Sequence, residues 1–516
     1  MSDVKLPHVW PTVVHMLDAA ARQAPDQLAL VCDEEQLSYR EYHACVAGLA
    51  AELMLAGLGC GERVVLLMSN SLDIAIATFA VQAAGAQVVP LNPAYTASEL
   101  RQVLGSAKAR GIIHDAAVAP VVAQAGAPFD VCYRIGDGQG EQRLTRWRHD
   151  SPAALPLPDP DSPSTLQYTG GTTGVPKGVS LAHRAVSINV SQREALLPTR
   201  RGQERVLAIT PLFHVYAVSM GLYLAAYAQS TLVIVRRYRP DTVLHAISRH
   251  RITLMSGSPT IFSGLMGYEG FGQADLSSLR LCSSGSAALA AETLKRWEAA
   301  TGCAVCEGYG QTEAGPVLSY NPYEGERKLG SVGVAVPLTQ IQIVDVEAGD
   351  QVLETGLIGE IRARGPQLMT CYDGMPEETA KTLRDGWLYT GDIGKLDEDG
   401  YLTICDRKKE MVIVSGFNVY PREIEEVLFR HPGIAEAAVV GAPDAYRGEI
   451  LLAYVVAADA GLDEAALQEY LAVHLVKYKW PARIFFVPDL PRTSVGKVDK
   501  NALRRQAKET QPAADE

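Results

Sequence analysis

The sequence predicts an α/β protein, and three features say so. Between residues 29 and 307, short apolar runs alternate with amphipathic stretches, the spacing of strands and helices in a mostly parallel sheet. From Gly330 onward the strand-like segments crowd together, divided by Gly, Asp and Pro, which predicts an antiparallel subdomain. After the charged run DRKKE at 406–410, about one hundred residues carry an α/β pattern of their own, the size of a small independent domain.

Taken in order, residues 8–57 read as largely helical. Val14, Leu17, Ala21 and Ala24 share a face. An extended ALVC at 29–32 and a turn at Asp33, Glu34 and Glu35 interrupt, and Ser38 caps a second helix with Glu41 at the capping-box position. RVVLLM at 63–68 is a short buried strand, 72–84 a helix ending at Gly85, 87–90 a strand, 98–106 a helix and 111–114 a strand. A loop rich in proline and aspartate, 152–163, leads into YTGGTTGVPKG at 168–178. A helix is predicted over 181–196. Strands at 205–209, 231–235, 252–256, 279–283 and 305–307 then alternate with helices at 241–250 and 288–299. Strands at 341–344, 359–364 and 401–404 make the antiparallel part. The run at 406–410 reads as a solvated linker. Beyond it come helices at 421–430 and 463–473 and strands at 434–440, 451–456 and 484–486.

A length of 516 residues suits roughly three domain-sized cores. With 47% hydrophobic and 21% charged residues, the composition is that of a soluble globular protein. A net charge of −12 argues against nucleic acid or a polybasic membrane surface as partner. The first residues lack the basic start and apolar core of a signal peptide, and QPAADE at the far end carries no lipidation signal. The apolar stretch 72–91 contains Asp73 and two glutamines, and 215–235 is broken by Gln229 and Ser230, so no integral membrane segment is expected. Nine scattered cysteines fit a reduced, cytoplasmic protein. Cys303 and Cys306 form a CxxC without a second ligand pair and read as ordinary thiols.

Four glycines, three threonines and one lysine fall within the eleven residues YTGGTTGVPKG. Glycines let successive N–H groups turn toward one centre and form an anion site. Thr169, Thr172 and Thr173 add hydroxyls, and Lys177 adds a mobile cation. Pro176 before the lysine and Gly178 after it exclude the P-loop pattern, so this would be a phosphate cradle of another kind; the plainer reading is a flexible surface loop. In GYGQTE at 308–313, Thr312 and Glu313 offer oxygens to a hard cation such as Mg²⁺, or open a helix with an acidic first turn. Asp392 in YTGD suits a pair of ribose hydroxyls. Lys497 stands in the polar loop LPRTSVGK.

In this order YTGGTTGVPKG, PLFHVY, SSGSAAL, EGYGQTE, GEIRARG, YTGD, DRKKEMVIVSGFNVYPREIE and LPRTSVGK resemble the signature motifs of the adenylate-forming acyl-CoA synthetases. The resemblance spans nearly the whole chain. It implies a large N-terminal part of layered α/β subdomains with a small antiparallel barrel-like subdomain (1–406), and a mobile α+β C-terminal lid (407–516). It also implies two reactions: a carboxylic acid and ATP give acyl-AMP and pyrophosphate, and CoA then takes the acyl group and releases AMP. Thr169, Gly170, Gly171, Thr172, Thr173, Gly174 and Lys177 would hold the β- and γ-phosphates. Ser286 and Ala287, with Glu307, Gly308 and Tyr309, would bracket adenine. Thr312 would touch the α-phosphate, Glu313 would bind Mg²⁺, and Asp392 and Arg407 would hold the ribose. Lys497 would bridge carboxylate and α-phosphate. Gly416 and Phe417 would line the CoA path, with the hinge at Lys409.

The acyl pocket implied by the resemblance follows His214, which would orient the carboxylate or else simply pack in the core. Its walls would be Val215, Tyr216, Ser219, Met220, Gly285, Ala314 and Gly315. These candidates carry no acid or base, which favours an apolar acyl or aryl tail. Amino-acid-activating relatives place an aspartate after the Phe of PLFHVY, and this chain has His214 and Val215 there. EGYG is reminiscent of fatty-acid ligases and TEAGPV of hydroxycinnamate-CoA ligases and luciferases. Three other readings stand beside this one: loading of a separate carrier protein, a luciferase-like oxygenase, and a non-catalytic nucleotide-binding relative.

Overall fold

The computed structural model describes residues 5–136, 138, 142–151, 154–169, 176–415, 417–444, 447–458, 461–492 and 498–510. The chain forms two compact units. The first comprises Met1–Leu289, Lys295–Ile341 and Ala363–Leu388; the second comprises Ala290–Leu294, Gln342–Arg362 and Tyr389–Glu516.

Two α/β sheets build the first unit. In the nine-stranded sheet the order is Val334–Ala335, Val317–Tyr320, Ala304–Gly310, Leu281–Ser284, Leu254–Gly257, Arg205–Ala208, Thr231–Ile234, Leu28–Cys32 and Glu35–Ser38. Its six central strands are parallel, and its edges are antiparallel. The seven-stranded sheet runs Cys371–Tyr372, Lys177–Ala182, Pro163–Thr169, Gln87–Pro90, Arg63–Leu67, Gly111–Asp115 and Val131–Ile135. The last five of these are parallel. The predicted mostly parallel sheet is therefore two sheets. Helix Ala97–Ala107 covers one face of the second with Leu100, Val103 and Leu104, against Val65, Leu67, Val89 and Ile112. Fully burying each such side chain contributes about 1.5–3 kcal/mol. Ser38 caps the helix Tyr39–Leu55 with both bonds of the capping box to Glu41, as its spacing predicts.

The small antiparallel barrel-like part is a five-stranded sheet ordered Gln340–Val344, Gly359–Arg364, Trp387–Leu396, Leu383–Arg384, with Leu402–Arg407 also paired to Trp387–Leu396. The α+β part at the carboxyl end has Gly448–Ala457 at the centre of its sheet, paired with Ile434–Asp444, Val412–Val414 and Arg483–Phe486. Helix Pro421–Phe429 packs Ile424, Val427 and Leu428 on one face.

Several expectations need correction. The helix predicted from residue 181 begins only at His183, because Lys177–Ala182 continues as a strand paired with Pro163–Thr169. The strand predicted at 305–307 runs over Ala304–Gly310. The run at 406–410 is not a solvated linker. Asp406 and Glu410 are buried, Asp406 accepts from the Arg422 N–H at 2.9 Å, and Glu410 pairs with Arg504. A buried charge persists where partners satisfy it, and a sequence run does not reveal those partners. Helix Lys500–Thr510 was not expected from so polar a segment. Tertiary packing supplies its reason: Leu503 and Ala507 lie against Ala438 and Val440. Among the described residues no helix is long and apolar enough to cross a membrane.

Candidate active site

The glycine-rich stretch begins in the strand Pro163–Thr169 and ends in the strand Lys177–Ala182, which pair antiparallel. Tyr168 lies opposite Gly178 and Thr169 opposite Lys177, so Thr169 and Lys177 frame the intervening loop from its two sides. Gly170, Gly171, Thr172, Thr173 and Gly174 lie outside the described residues. Lys177 Nζ is 2.7 Å from Glu378 Oε2 and 5.0 Å from the centre of the Tyr372 ring. The other Glu378 oxygen accepts from Lys381 Nζ at 2.8 Å. The hydrogen bond from Lys177, followed by that from Lys381, holds the Glu378 carboxyl down at about 2.

The segment that carries these partners is fastened to the strand Lys177–Ala182 by backbone pairing. Tyr372 lies opposite Val179, and the Asp373 N–H donates to the Gly178 carbonyl at 2.8 Å. Arg63 holds the Asp373 carboxylate at 2.6 Å. From this strand the Tyr372 hydroxyl donates to Glu313 Oε1 at 2.7 Å. Burial first, and then the Glu313 charge, push the phenol well above its ordinary range, so it stays a donor.

Glu313 stands on a single 3₁₀ turn, Thr312–Ala314, that Gly315 ends at φ +79°. The helix that Thr312 and Glu313 open is only this one turn, and Gly308 and Gly310 belong to the preceding strand. Their missing side chains admit close neighbours. A Cβ on Gly308 would stand 2.2 Å from the Tyr320 ring, and one on Gly310 would stand 1.9 Å from the Pro316 oxygen. Ser284 pairs with Glu307 across parallel strands. Ser286 and Ala287 therefore follow the carboxyl end of one strand, while Gly308 and Tyr309 lie among the last residues of its neighbour, which runs on to Gly310. That is where ligands bind in open α/β sheets. Buried Glu307 accepts from the Leu289 N–H at 2.8 Å and ties the two segments together.

His214 is half-buried and caps the short helix Val215–Ala217, its Nδ1 accepting from the Tyr216 N–H at 3.3 Å. A π-helix, Val218–Tyr223, follows; such widened turns recur at functional sites. Val215, Tyr216, Ser219 and Met220 are all buried. The Tyr216 hydroxyl is 3.2 Å from Ser283 Oγ, which is 2.7 Å from Ser256 Oγ. A Cβ on Gly285 would touch the Tyr216 ring at 3.4 Å. Ala314 is fully buried, and Gly315 lies against the Gln367 carbonyl, 2.6 Å from where its Cβ would stand.

In the second unit, Asp392 and Arg407 face each other across antiparallel strands, Nε to Oδ1 3.5 Å. Lys409 lies in the 3₁₀ turn Lys408–Glu410; partial burial, with Arg407 adding, lowers its pKa. The Phe417 ring stacks on Tyr478 with centres 4.6 Å apart. Gly416 and Lys497 lie outside the described residues. Cys303 and Cys306 are buried free thiols, with Cys303 Sγ 3.6 Å from Cys282 Sγ.

Sequence reasoning misses Tyr372 and Glu378. MPEET, with proline at the helix start and acids in the first turn, signals only the short helix Pro376–Thr382. Pairing with Lys177 and Glu313 depends on strand register.

Known proteins resemble this chain along its whole length. The AMP-binding enzyme family model matches residues 17–373, and that of the AMP-binding enzyme C-terminal domain matches residues 423–497. The long-chain-fatty-acid–CoA ligase of Bacillus subtilis is 35% identical, covering 98% of this chain and 97% of that protein. Its counterpart in Salmonella typhimurium is 35% identical, covering 97% and 96%. The crystal structure of ATP-bound MatB from Rhodopseudomonas palustris matches with a TM-score of 0.87 at 33% identity, covering 97% of this chain and 99% of that one. With motifs, strand-end geometry and full-length similarity all in agreement, the chain belongs to the AMP-binding enzyme family.

Proposed function

We infer that the substrate of this ATP-dependent acyl-CoA synthetase, an AMP-forming acid–thiol ligase, is an apolar fatty or aryl acid. The buried lining at Val215, Tyr216 and Met220 supports an apolar tail, and the names of the bacterial relatives support a fatty one. In the first step a carboxylate oxygen attacks the α-phosphorus of ATP, and the bond to the bridging oxygen of pyrophosphate breaks. In the second step the CoA sulfur attacks the acyl carbon, the bond to AMP breaks, and the thiol proton leaves.

Thr169, Lys177 and the loop between them would hold the β- and γ-phosphates. Ser286, Ala287, Glu307, Gly308 and Tyr309 would bracket adenine, and Thr312 would contact the α-phosphate. Asp392 and Arg407 would hold the ribose hydroxyls. Lys497 would follow charge from the carboxylate to the phosphate, a contact that chiefly lowers the transition state. Residues 407–516 would move as a lid about Lys409, with Gly416 and Phe417 along the thiol's path. Among the described residues no three potential metal ligands of the His, Cys, Asp or Glu type cluster. Glu313 alone fits Mg²⁺ shared with phosphate oxygens, the usual manner of that ion. The ion would supply charge neutralisation at the phosphates. The scattered free thiols support a reducing, cytoplasmic setting.

The observation that carries this reading is the placement of Lys177 beside Tyr372, whose hydroxyl reaches Glu313. It gathers a phosphate-type cation and a metal-type carboxylate at one corner. The test is pyrophosphate release with ATP and Mg²⁺ over fatty acids of graded length, benzoates, cinnamates and dicarboxylates, with and without CoA. Turnover confined to fatty or aryl acids and dependent on CoA is expected. Release that ignores CoA would favour carrier loading or oxygenase chemistry, and a dicarboxylate preference would overturn the apolar tail.

A further inference from the structure

Lys177 and Glu313 are both engaged by one short stretch of chain, residues 372–378. The Tyr372 hydroxyl donates a hydrogen bond to Glu313, and a Glu378 carboxylate oxygen accepts one from Lys177. Toward the lysine, that carboxylate presents what a phosphate would present: an oxygen carrying negative charge at 2.7 Å.

We propose that Glu378 is a built-in phosphate surrogate. It occupies Lys177 until the triphosphate displaces it, and so sets how tightly the enzyme holds ATP and pyrophosphate. The inference rests on Lys177 being a phosphate ligand. Two anions drawn to one ammonium group repel each other, so the carboxylate and an arriving phosphate compete for it. Displacement is local. The Glu378 side chain is 36% exposed, and the exposed Lys381 already holds its second oxygen, so it keeps a partner after leaving Lys177. The helix need not move. Thr379 Oγ1 donates to the Met375 carbonyl at 2.9 Å and accepts from the Tyr372 N–H at 3.0 Å, fixing the backbone on both sides. Partly exposed ion pairs contribute little, which sets the scale of the competition at about two- to fivefold in affinity.

The plainer role for Glu378 is an acidic first-turn residue that complements its helix. Such a role would affect thermal stability and every ligand alike. Calorimetric titration of the full chain separates the two, using ATP with Mg²⁺, pyrophosphate with Mg²⁺, and AMP. Glu378→Gln is expected to bind ATP and pyrophosphate about two- to fivefold more tightly and AMP as before, since AMP lacks the displaced phosphates. Glu378→Ala should give the same pattern. In a Lys177→Met background the gain should vanish, because the competitor then has nothing to release. A gain that persists in that background would mean a general charge effect and would overturn the proposal. No gain from either Glu378 variant, while Lys177→Met weakens ATP binding, would overturn the proposal alone. If Lys177→Met leaves ATP binding intact, the phosphate role of Lys177 falls and the surrogate falls with it.

Discussion

In the first unit, Lys177, Glu378, Lys381 and Glu313 each meet an opposite charge or a hydrogen-bond donor, and all keep some exposure. Along Val215–Ala217 and Val218–Tyr223 the chain presents Val, Tyr, Ala, Ser, Met, Gly and Leu, all buried, with the hydroxyls of Tyr216, Ser219 and Tyr223 as its polar features. The first region handles charge by pairing it near the surface, where a ligand can replace the partners. The second handles shape by packing, where a ligand must fit among apolar side chains. Rate should therefore depend on the first region without much change in stability. Choice of acid should depend on the second.

The largest expected effect is at the charged corner. Glu313→Gln should lower the ATP-dependent release of pyrophosphate on the order of 10²-fold, the scale of losing one oriented electrostatic partner of the transition state. It should also raise the Mg²⁺ concentration required. The thermal midpoint should barely move, because an amide oxygen still accepts from Tyr372. A large drop in midpoint with no change in Mg²⁺ response would break the comparison, making Glu313 structural.

The next effect concerns where charge is not tolerated. The strand that begins with Lys177 passes at Ala182 into His183, which is fully buried with neither ring nitrogen hydrogen-bonded. Burial pushes this imidazole down from its ordinary 6.5 to about 4. The unfolded chain takes up the proton near 6.5 and the native chain only near 4, so stability is complete above 6.5 and falls as pH drops between those values. The loss amounts to about 3 kcal/mol. Urea unfolding from pH 7 to pH 4.5 should show this slope, and His183→Leu should flatten it. Equal slopes in both proteins would show that His183 takes up its proton in the fold at the same pH as in the unfolded chain.

The smallest effect is at the proposed acyl wall. Tyr216→Phe removes a 3.2 Å contact to Ser283, which keeps Ser256, and a hydrogen bond with the buried Tyr320, so the stability cost should be about 1–2 kcal/mol. The kcat/KM ratio between a compact aryl acid and a fatty acid should shift about two- to fivefold, while the KM for ATP stays put. A change in the ATP constant with no change in acid preference would assign Tyr216 to the nucleotide side instead.

The two regions also differ in how much of them the sequence disclosed. Thr169, Lys177, Glu313 and Asp392 stood out because phosphates, metals and ribose need specific donors and acceptors, and few residue types provide them. Val215, Tyr216 and Ser219 had no such mark, since a pocket wall and a core residue have the same composition. His214 shows the difficulty: its ring caps a helix, a role between the ligand-orienting and the core-packing ones its motif suggested. Gly308 and Gly310 were visible as glycines, but the reason for them lay in Tyr320 and the Pro316 carbonyl on a neighbouring strand.

By itself the sequence determined the alternation of strands and helices and the capping of Tyr39–Leu55 by Ser38 and Glu41. Both follow from local periodicity and side-chain chemistry. Only the tertiary structure decided that the parallel strands divide between two sheets, that Asp406 and Glu410 turn inward to partners far along the chain, and that Glu378 meets Lys177. Strand register and long-range pairing bring those groups together, and neither leaves a trace in the spacing of neighbouring residues.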